Sequence, residues 1–200
     1  MRLVAGQTAP AFRVVDIAGQ PVALESYRGH SLLLSFYRYA SCPFCNLRVH
    51  ELIQRLPEFE EHGLSLVAVF QSSRIGILDY VGKQRPPFPI IPDPAHRLYR
   101  HYGVESSLRG FAAGFVQHLG KAMRSMRMGF LPGPMDGIKT LIPADFLIAP
   151  DDAIRIAYYG RNISDHLSID TLLQALRAPT VVWAANNRCT TLLSIKRKPS

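Results

Sequence analysis

The chain has 200 residues, a formal net charge of +8 at pH 7, 48% hydrophobic residues and 19% charged residues. A chain of this length buries roughly 70% of its unfolded surface and needs no disulfide to fold. The composition excludes a disordered protein, and no apolar stretch approaches the roughly 20 residues of a membrane span. No secretory signal is visible at the N-terminus, so we expect a cytoplasmic protein. The basic residues are scattered, which favours solubility over nucleic-acid binding.

Short apolar runs alternate with stretches of helical periodicity in the first half of the chain. Such alternation predicts a βαβ unit with a parallel central sheet. Two short strands about the turn at Gly19 precede this unit and form an N-terminal β-hairpin extension. The predicted strands of the unit are 31–37, 64–70 and 86–94, and its predicted helices are 45–63, 74–84 and 95–103.

The second half predicts an antiparallel hairpin followed by a helix. Residues 144–160 contain two apolar runs joined by a tight turn at Pro150, which is typical of a hairpin. The stretch 168–176 has helical periodicity, with Ser168 or Asp170 as its N-cap. The whole pattern predicts an α/β protein with a central mixed sheet flanked by helices.

A helical insertion of about 105–130 interrupts this order. We expect its apolar stripe to cover the domain's own core, with a basic face toward solvent. A dimer contact, a flap over two of the cysteines and attachment to an anionic membrane surface are the alternatives. The stripe consists of Leu108, Phe111, Ala112, Phe115, Leu119, Ala122, Met123 and Met126.

The chain divides into one domain, residues 1–177, and a C-terminal extension, residues 178–200. We predict that the extension is an added edge strand or a flexible tail. It contains Cys189, which we interpret as a spare thiol, although a resolving role in a disulfide with another subunit is an alternative.

Cys42 and Cys45 lie at the predicted junction between a buried strand and a helix. Unpaired N–H groups at a helix N-terminus stabilise a thiolate by roughly 0.3 to 2 kcal/mol. A pair separated by two residues lets one sulfur attack a substrate and the other resolve the product. Pro43 suits the first helical turn because it lacks the N–H that would be unpaired there. The motif therefore predicts a thiol redox site.

Two inert buried cysteines, or a metal site, are the alternatives to a redox pair. A structural zinc site normally needs four thiolate or imidazole ligands, and no second close pair of such residues is present in the sequence. We therefore expect neither a metal nor another cofactor.

The order of elements and the Cys-x-x-Cys pair resemble the thioredoxin fold. The stretches "GQTAPAFRVVDIAGQPVALESYRGHSLLLSFYR", "PIIPDPAHRLYRHYGV" and "LIPADFLIAPDDAIRIAYYG" also resemble the peroxiredoxins, the alkyl hydroperoxide reductase and thiol-specific antioxidant family, in the branch with a Cys-Pro-x-Cys motif. The likeness covers about residues 3–177. It implies an antioxidant thiol oxidoreductase that reduces peroxides or protein disulfides through a redox-active disulfide between Cys42 and Cys45. It also implies a reductant such as a thioredoxin or glutathione system, and a cis-proline at Pro143 against the cysteine pair.

The sequence departs from the peroxiredoxin pattern at two places. The family has a threonine three residues before the attacking cysteine; counted without gaps, Cys45 is the attacker and Cys42 occupies the threonine position. Counted as in thioredoxins, Cys42 is the exposed attacker and Cys45 resolves. The family's active-site arginine is also missing near residues 139–143, so Arg38 and Arg48 are candidates to replace it.

A non-catalytic alternative stays open beside the enzyme. In it, the chain is a thioredoxin-fold binding or redox-sensing module whose dithiol oxidises slowly. A homodimer through the insertion also stays open.

Overall fold

A mixed sheet of five strands lies at the centre of the molecule, with helices on both faces. The computed structural model describes residues 1–111 and 119–177. Its strands are β1 (Arg13–Val15), β2 (Pro21–Ala23), β3 (Ser31–Phe36), β4 (Leu64–Phe70), β5 (Ile90–Pro92), β6 (Ala144–Ile148) and β7 (Ile154–Tyr159). Its α-helices include α1 (Pro43–Gln54), α2 (Leu56–Glu61), α3 (Arg74–Asp79), α4 (Arg97–His101), α5 (Leu119–Arg127) and α6 (Ile169–Arg177).

The strand order in the central sheet is β5-β4-β3-β6-β7. Strands β3, β4 and β5 are parallel, whereas β6 runs antiparallel to both β3 and β7. The short strands β1 and β2 pair as a separate hairpin. The predicted fold class, with its mixed sheet and N-terminal hairpin, is confirmed.

Strand β3 is buried on both faces, which explains its continuous apolar run. Leu33 belongs to the core cluster formed with α1, α2 and α6. Leu32 and Leu34 belong to a second cluster, formed with α4 and the N-terminal hairpin. Successive side chains of a strand point to opposite faces, so β3 contributes to both halves of the core. The loop after β3 therefore starts from a strand that is buried on both faces.

The long helix predicted after this loop is divided into α1 and α2. Helix α1 begins at Pro43, with Cys42 as its N-cap residue. Helix α2 carries Pro57 in its first turn, where a missing N–H costs little. Gly63 follows with a φ of 63°, a conformation that ends helices and favours glycine. Pro57 therefore lies where the second helix begins, and Gly63 lies just after its end.

The insertion differs from its prediction. Leu108 is 78% exposed and Met123 is 49% exposed, so these members of the apolar stripe do not face the core. Among the α5 side chains that the structure describes, Ser125 is the buried one, and its hydroxyl contacts α1. The reason is that both sheet faces are already filled by the two core clusters.

Part of the insertion and the whole extension 178–200, with Cys189, lie outside the described residues. Within the described residues, none of the helices combines the length and the apolar character that crossing a membrane requires.

Candidate active site

The two cysteines of the Cys-Pro-x-Cys motif lie where the chain passes from β3 into α1. Both are free thiols, and the exposed fractions of Cys42 and Cys45 are 0% and 2%. The expectation that Cys42 is exposed is therefore wrong. It fails because a later part of the chain lies over this junction, which the local sequence does not reveal.

Buried polar side chains hold the loop before Cys42 in place. Ser72 accepts a hydrogen bond from the backbone N–H of Ala40 at 2.7 Å. Asn46 donates to the carbonyl oxygens of Ala40 and Cys42, at 2.7 and 3.0 Å. Gln84 in turn donates to the Asn46 side chain at 3.2 Å. These groups fix the N-terminus of α1 relative to the sheet, and apart from their polarity nothing in the sequence indicated this role.

Arg38 places a positive charge beside the thiol of Cys42. Its Nη1 lies 3.6 Å from the sulfur of Cys42, and its Nη2 donates to the carbonyl oxygen of Lys139. The guanidinium carbon lies 4.9 Å from the ring centroid of Tyr39 and 5.6 Å from that of Phe111. The arginine is only 1% exposed. Its charge therefore acts on the sulfur with little screening by water.

The pKa of Cys42 is lowered to about 6. Burial alone raises this pKa, but four groups together outweigh it: the thiol of Cys45, which donates to the Cys42 sulfur, the charge of Arg38, and the backbone N–H groups of Cys45 and Phe44. All four favour the thiolate, because they place hydrogens or positive charge toward the sulfur. At pH 7 about nine-tenths of Cys42 is then ionised.

Cys45 behaves in the opposite way. Burial raises the pKa of Cys45, and its hydrogen bond to Cys42 together with the negative charge there raise it further. The pair thus holds one proton, which stays on Cys45. The structure distinguishes the two sulfurs that the sequence left interchangeable.

A lowered pKa by itself gives only a small gain in thiol reactivity. Lowering it from 9.0 to about 6 raises the ionised fraction of Cys42 at pH 7 about 90-fold. With a Brønsted slope near 0.4 to 0.5, intrinsic nucleophilicity toward a disulfide falls about 20-fold, which leaves a net gain of about fourfold. Fast peroxide cleavage therefore needs hydrogen-bond donors that stabilise the separating oxygens. Arg38 is the buried donor beside the sulfur.

Arg48, the other candidate arginine, lies elsewhere. Its Nη2 donates to the carbonyl oxygen of Leu167 at 2.7 Å, and its charge acts on the buried carboxyl of Asp145. It follows Cys45 by three residues on α1, and its guanidinium reaches the chain just before α6 rather than the loop before Cys42. Of the two candidate arginines, Arg38 is therefore the one that contacts a cysteine of the motif.

Pro143 immediately precedes β6, as predicted, but no peptide bond in residues 1–111 and 119–177 is cis. The expected cis-proline is therefore wrong. The carbonyl oxygen of Pro143 accepts a hydrogen bond from the N–H of Gly160 at 2.9 Å, and this bond holds the start of the hairpin in place. Trans is the ordinary state of an X–Pro bond, and tertiary contacts, not local sequence, select the isomer.

A buried polar cluster beneath α1 was missed by the sequence analysis. The carboxylate of Asp145 accepts hydrogen bonds from the Ser35 hydroxyl at 2.6 Å and the Leu167 N–H at 2.7 Å, and lies 3.1 Å from Nδ1 of His166. Burial raises the pKa of Asp145, but His166, Arg48 and Ser35 outweigh this effect and lower it. A lone carboxylate in an apolar strand was the signal, since buried charges are normally paired.

A polar-anchored stretch, residues 125–139, lies over the cysteine loop; we call it the covering segment. The Ser125 hydroxyl donates to the carbonyl oxygen of Pro43 at 2.8 Å, and the Ser41 hydroxyl donates to that of Pro134. Arg38 reaches the last residue of the segment, Lys139. Of the roles considered for the insertion, the flap over the cysteines matches these contacts.

No group of three or more His, Cys, Asp or Glu side chains in the described residues could hold a metal ion.

Comparison with known proteins assigns the chain to a family. The model of the AhpC/TSA family matches residues 5–157. A candidate peroxiredoxin of Mycobacterium tuberculosis is 26% identical over 167 residues, which cover 84% of this chain and 92% of that protein. Peroxiredoxin Bcp of Escherichia coli is 26% identical over 110 residues, which cover 54% of this chain and 70% of that protein.

Solved structures show the same fold. Peroxidoxin BcpB from Mycobacterium tuberculosis superposes with a TM-score of 0.65 at 17% identity, covering 88% of this chain and 97% of that one. Peroxiredoxin Q of Xanthomonas campestris gives a TM-score of 0.60 at 19% identity, covering 88% and 95%. The chain therefore belongs to the AhpC/TSA family, as a peroxiredoxin-like, thiol-dependent oxidoreductase with a thioredoxin fold.

Proposed function

We propose that this chain reduces hydroperoxides, with Cys42 as the attacking thiolate and Cys45 as the resolving thiol. The observation that carries the proposal is the 3.6 Å contact between Arg38 and the sulfur of Cys42, in a chain of the AhpC/TSA family. The opposite pKa shifts of the two cysteines support this assignment of roles.

The reaction proceeds in three steps. The Cys42 thiolate attacks the terminal oxygen of the hydroperoxide, the O–O bond breaks, and the leaving alkoxide takes a proton to become an alcohol. Cys42 is then a sulfenic acid. The Cys45 sulfur displaces its hydroxyl group, the Cys45 proton leaves with it as water, and a Cys42–Cys45 disulfide forms. A dithiol reductant restores both thiols and is itself oxidised to a disulfide.

Arg38 takes the place of the threonine and arginine that the family pattern expects. Its Nε is buried and has no hydrogen-bond partner in the part of the chain that the structure describes. An unused donor on the same guanidinium whose Nη1 contacts the sulfur is suited to the oxygen that accumulates negative charge as the O–O bond breaks. The backbone N–H groups of Phe44 and Cys45, in the first turn of α1, point toward the sulfur of Cys42, whereas Pro43 begins that turn and has no N–H to donate.

The reductant in this cycle is a thioredoxin or glutathione system, and the cytoplasm is the compartment that supplies it. The family match over residues 5–157 supports a single catalytic domain within 1–177. The cycle uses two sulfurs of one chain, so it requires no second copy.

Two other functions are less well supported. Exchange with a protein disulfide requires an accessible sulfur, and Cys42 is 0% exposed. A non-catalytic module has no need of a buried thiolate paired with an arginine. Both alternatives predict slow oxidation by peroxide.

Stopped-flow oxidation by hydrogen peroxide tests the proposal. The reduced protein should carry Cys189→Ser, so that only the two motif thiols react. We expect oxidation at least about a hundredfold faster than that of free cysteine at the same pH, because donor stabilisation of the leaving oxygen adds to ionisation. A rate no faster than that of free cysteine contradicts the proposal.

A further inference from the structure

The covering segment is seated over the cysteine loop at both ends and in the middle. Ser125, Ser41 and Arg38 make the contacts described above. In addition, the Asp136 carboxylate accepts a hydrogen bond from the Ser72 hydroxyl at 2.9 Å. Gln71 makes two hydrogen bonds with the backbone of Ile138, at 3.1 and 2.7 Å. The anchors therefore come from the loops after both β3 and β4.

Close approaches add to this seating. A Cβ on Gly133 would come within 2.5 Å of the Tyr80 hydroxyl, so the backbone of the segment lies directly against that side chain. The ring of Phe130 lies 5.9 Å from that of His50 on α1. There is no room for a large molecule between the segment and these neighbours without moving it.

The segment is nevertheless held by polar contacts rather than by apolar burial. Leu131 is 66% exposed, and Met128, Met135 and Ile138 are also exposed. Regions with few buried apolar contacts open locally at lower free energy than the core does. Gly129 and Gly137, with φ of 83° and 93°, lie inside the segment near its two ends and allow the backbone to turn there.

We propose that the covering segment restricts Cys42 to small hydroperoxides and slows its reaction with bulky ones. Hydrogen peroxide has two heavy atoms and enters through fluctuations that admit a water molecule. An aromatic or lipid hydroperoxide has to break several anchors at once before its terminal oxygen reaches the sulfur. This inference rests on the proposed peroxidase function, and it names the substrate class of the same site.

The test compares two hydroperoxides on two matched variants. The released variant is Ser125→Ala with Asp136→Ala, which removes one anchor at the start of the segment and one near its end. The matched control is Ser26→Ala with Asp79→Ala, the same substitutions at exposed residues outside the segment. Stopped-flow rate constants are measured with hydrogen peroxide and cumene hydroperoxide, on a Cys189→Ser background.

We expect the wild-type sequence and the control to react at least about tenfold faster with hydrogen peroxide than with cumene hydroperoxide. The released variant should narrow this ratio by about threefold or more through a faster reaction with cumene hydroperoxide. Equal rates with both substrates in the wild type overturn the inference. The inference is also overturned if the ratio of the two rate constants is the same in the released variant and in the control.

A second measurement separates this inference from the peroxidase function. The released and control variants, each also carrying Cys45→Ser and Cys189→Ser, are alkylated at Cys42 with iodoacetamide and with a maleimide on a large polymer, and the modified fraction is followed by mass. The alkylation ratio is the fraction modified by iodoacetamide divided by the fraction modified by the polymer maleimide. Selection by size predicts that this ratio is larger in the control than in the released variant. If hydrogen peroxide oxidises the protein no faster than free cysteine, but the alkylation ratio still differs between the released variant and the control, only the proposed function fails. If the ratio is the same in both variants, the covering segment does not select by size.

Discussion

The hydroxyl of Ser41 donates a hydrogen bond to the carbonyl oxygen of Pro134, 93 positions later in the chain. Ser41 immediately precedes Cys42, so this bond fastens the covering segment beside the proposed attacking sulfur. It joins the two features that define the site, a thiolate at a helix N-terminus and a segment that lies over it. Reactivity and access are therefore controlled by neighbouring groups, which can be changed separately.

The roles of the two sulfurs can be tested by single substitutions. Because the thiolate is on Cys42, Cys42→Ser should lower peroxide oxidation to the rate of free cysteine or below. Cys45→Ser should keep the first step and accumulate a sulfenic acid that dimedone traps. Mass spectrometry of the trapped protein locates the adduct. An adduct on Cys45 in the Cys42→Ser protein, with none on Cys42 in the converse variant, would reverse the assignment.

Removal of the Arg38 charge should raise the pKa of Cys42. An opposite charge at this distance shifts a pKa by about 1 to 3 units, so Arg38→Met should move it up by about that amount. The matched control is Arg48→Met. Arg48 is also a buried arginine, but it contacts Leu167, so its replacement should leave the pKa of Cys42 nearly unchanged. Ultraviolet titration of the thiolate on a Cys189→Ser background measures both. Equal shifts in the two variants would remove the special role of Arg38.

Stability should depend on pH through Cys42. Its folded pKa of about 6 lies below the ordinary 9.0, so between these values the folded state binds fewer protons than the unfolded state. The free energy of unfolding therefore rises with pH in this window, by at most about 1.4 kcal/mol per unit, and the contribution is lost as pH falls through about 6. Denaturant unfolding of the reduced wild type and Cys42→Ser should diverge in this direction. A constant difference from pH 6 to 9 would contradict a lowered pKa.

The buried carboxylate of Asp145 should be essential to stability. Asp145→Ala leaves His166 and Ser35 without their buried partner, and breaking a buried pair in this way costs about 3 to 5 kcal/mol. Ser35→Ala removes one charge-assisted hydrogen bond and should cost about 1.5 to 3 kcal/mol. Because the folded pKa of Asp145 is lowered, its contribution is present above the usual carboxyl range and is lost only at lower pH. Unfolding at neutral pH measures both costs, and a smaller cost for Asp145→Ala than for Ser35→Ala would contradict this account.

The covering segment should loosen when Gly137 is replaced. Gly137 has a φ of 93°, and a Cβ there would lie 2.5 Å from Oε1 of Gln71, the atom that accepts the Ile138 N–H. Gly137→Ala should therefore strain the turn and break that hydrogen bond. Hydrogen exchange at Ile138 should become at least about tenfold faster. Gly120→Ala is the control, because a Cβ there meets no atom within 4 Å. Unchanged exchange at Ile138 would show that this anchor does not hold the segment.

Local sequence determined the strands, the helices and the place of the cysteines. The apolar runs of β3 and β4, the restart at Pro57 and the stop at Gly63 each depend on residues within one or two turns of the chain. The same is true of the Cys42–Cys45 pair at the N-terminus of α1, because helix start signals are local. The resemblance to the peroxiredoxins depends on these same stretches, and the family match confirms it.

Only the tertiary structure decided which sulfur is ionised, which arginine accompanies it and whether the pair is exposed. Arg38 and Arg48 look alike in the sequence, but the first contacts Cys42 and Lys139 whereas the second contacts Leu167. The contacts with Lys139 and Leu167 join residues 101 and 119 positions apart, where periodicity and spacing carry no information. The physical reason is that pKa and access depend on distances and burial in space, and these are established only when β3, α1 and the covering segment pack together.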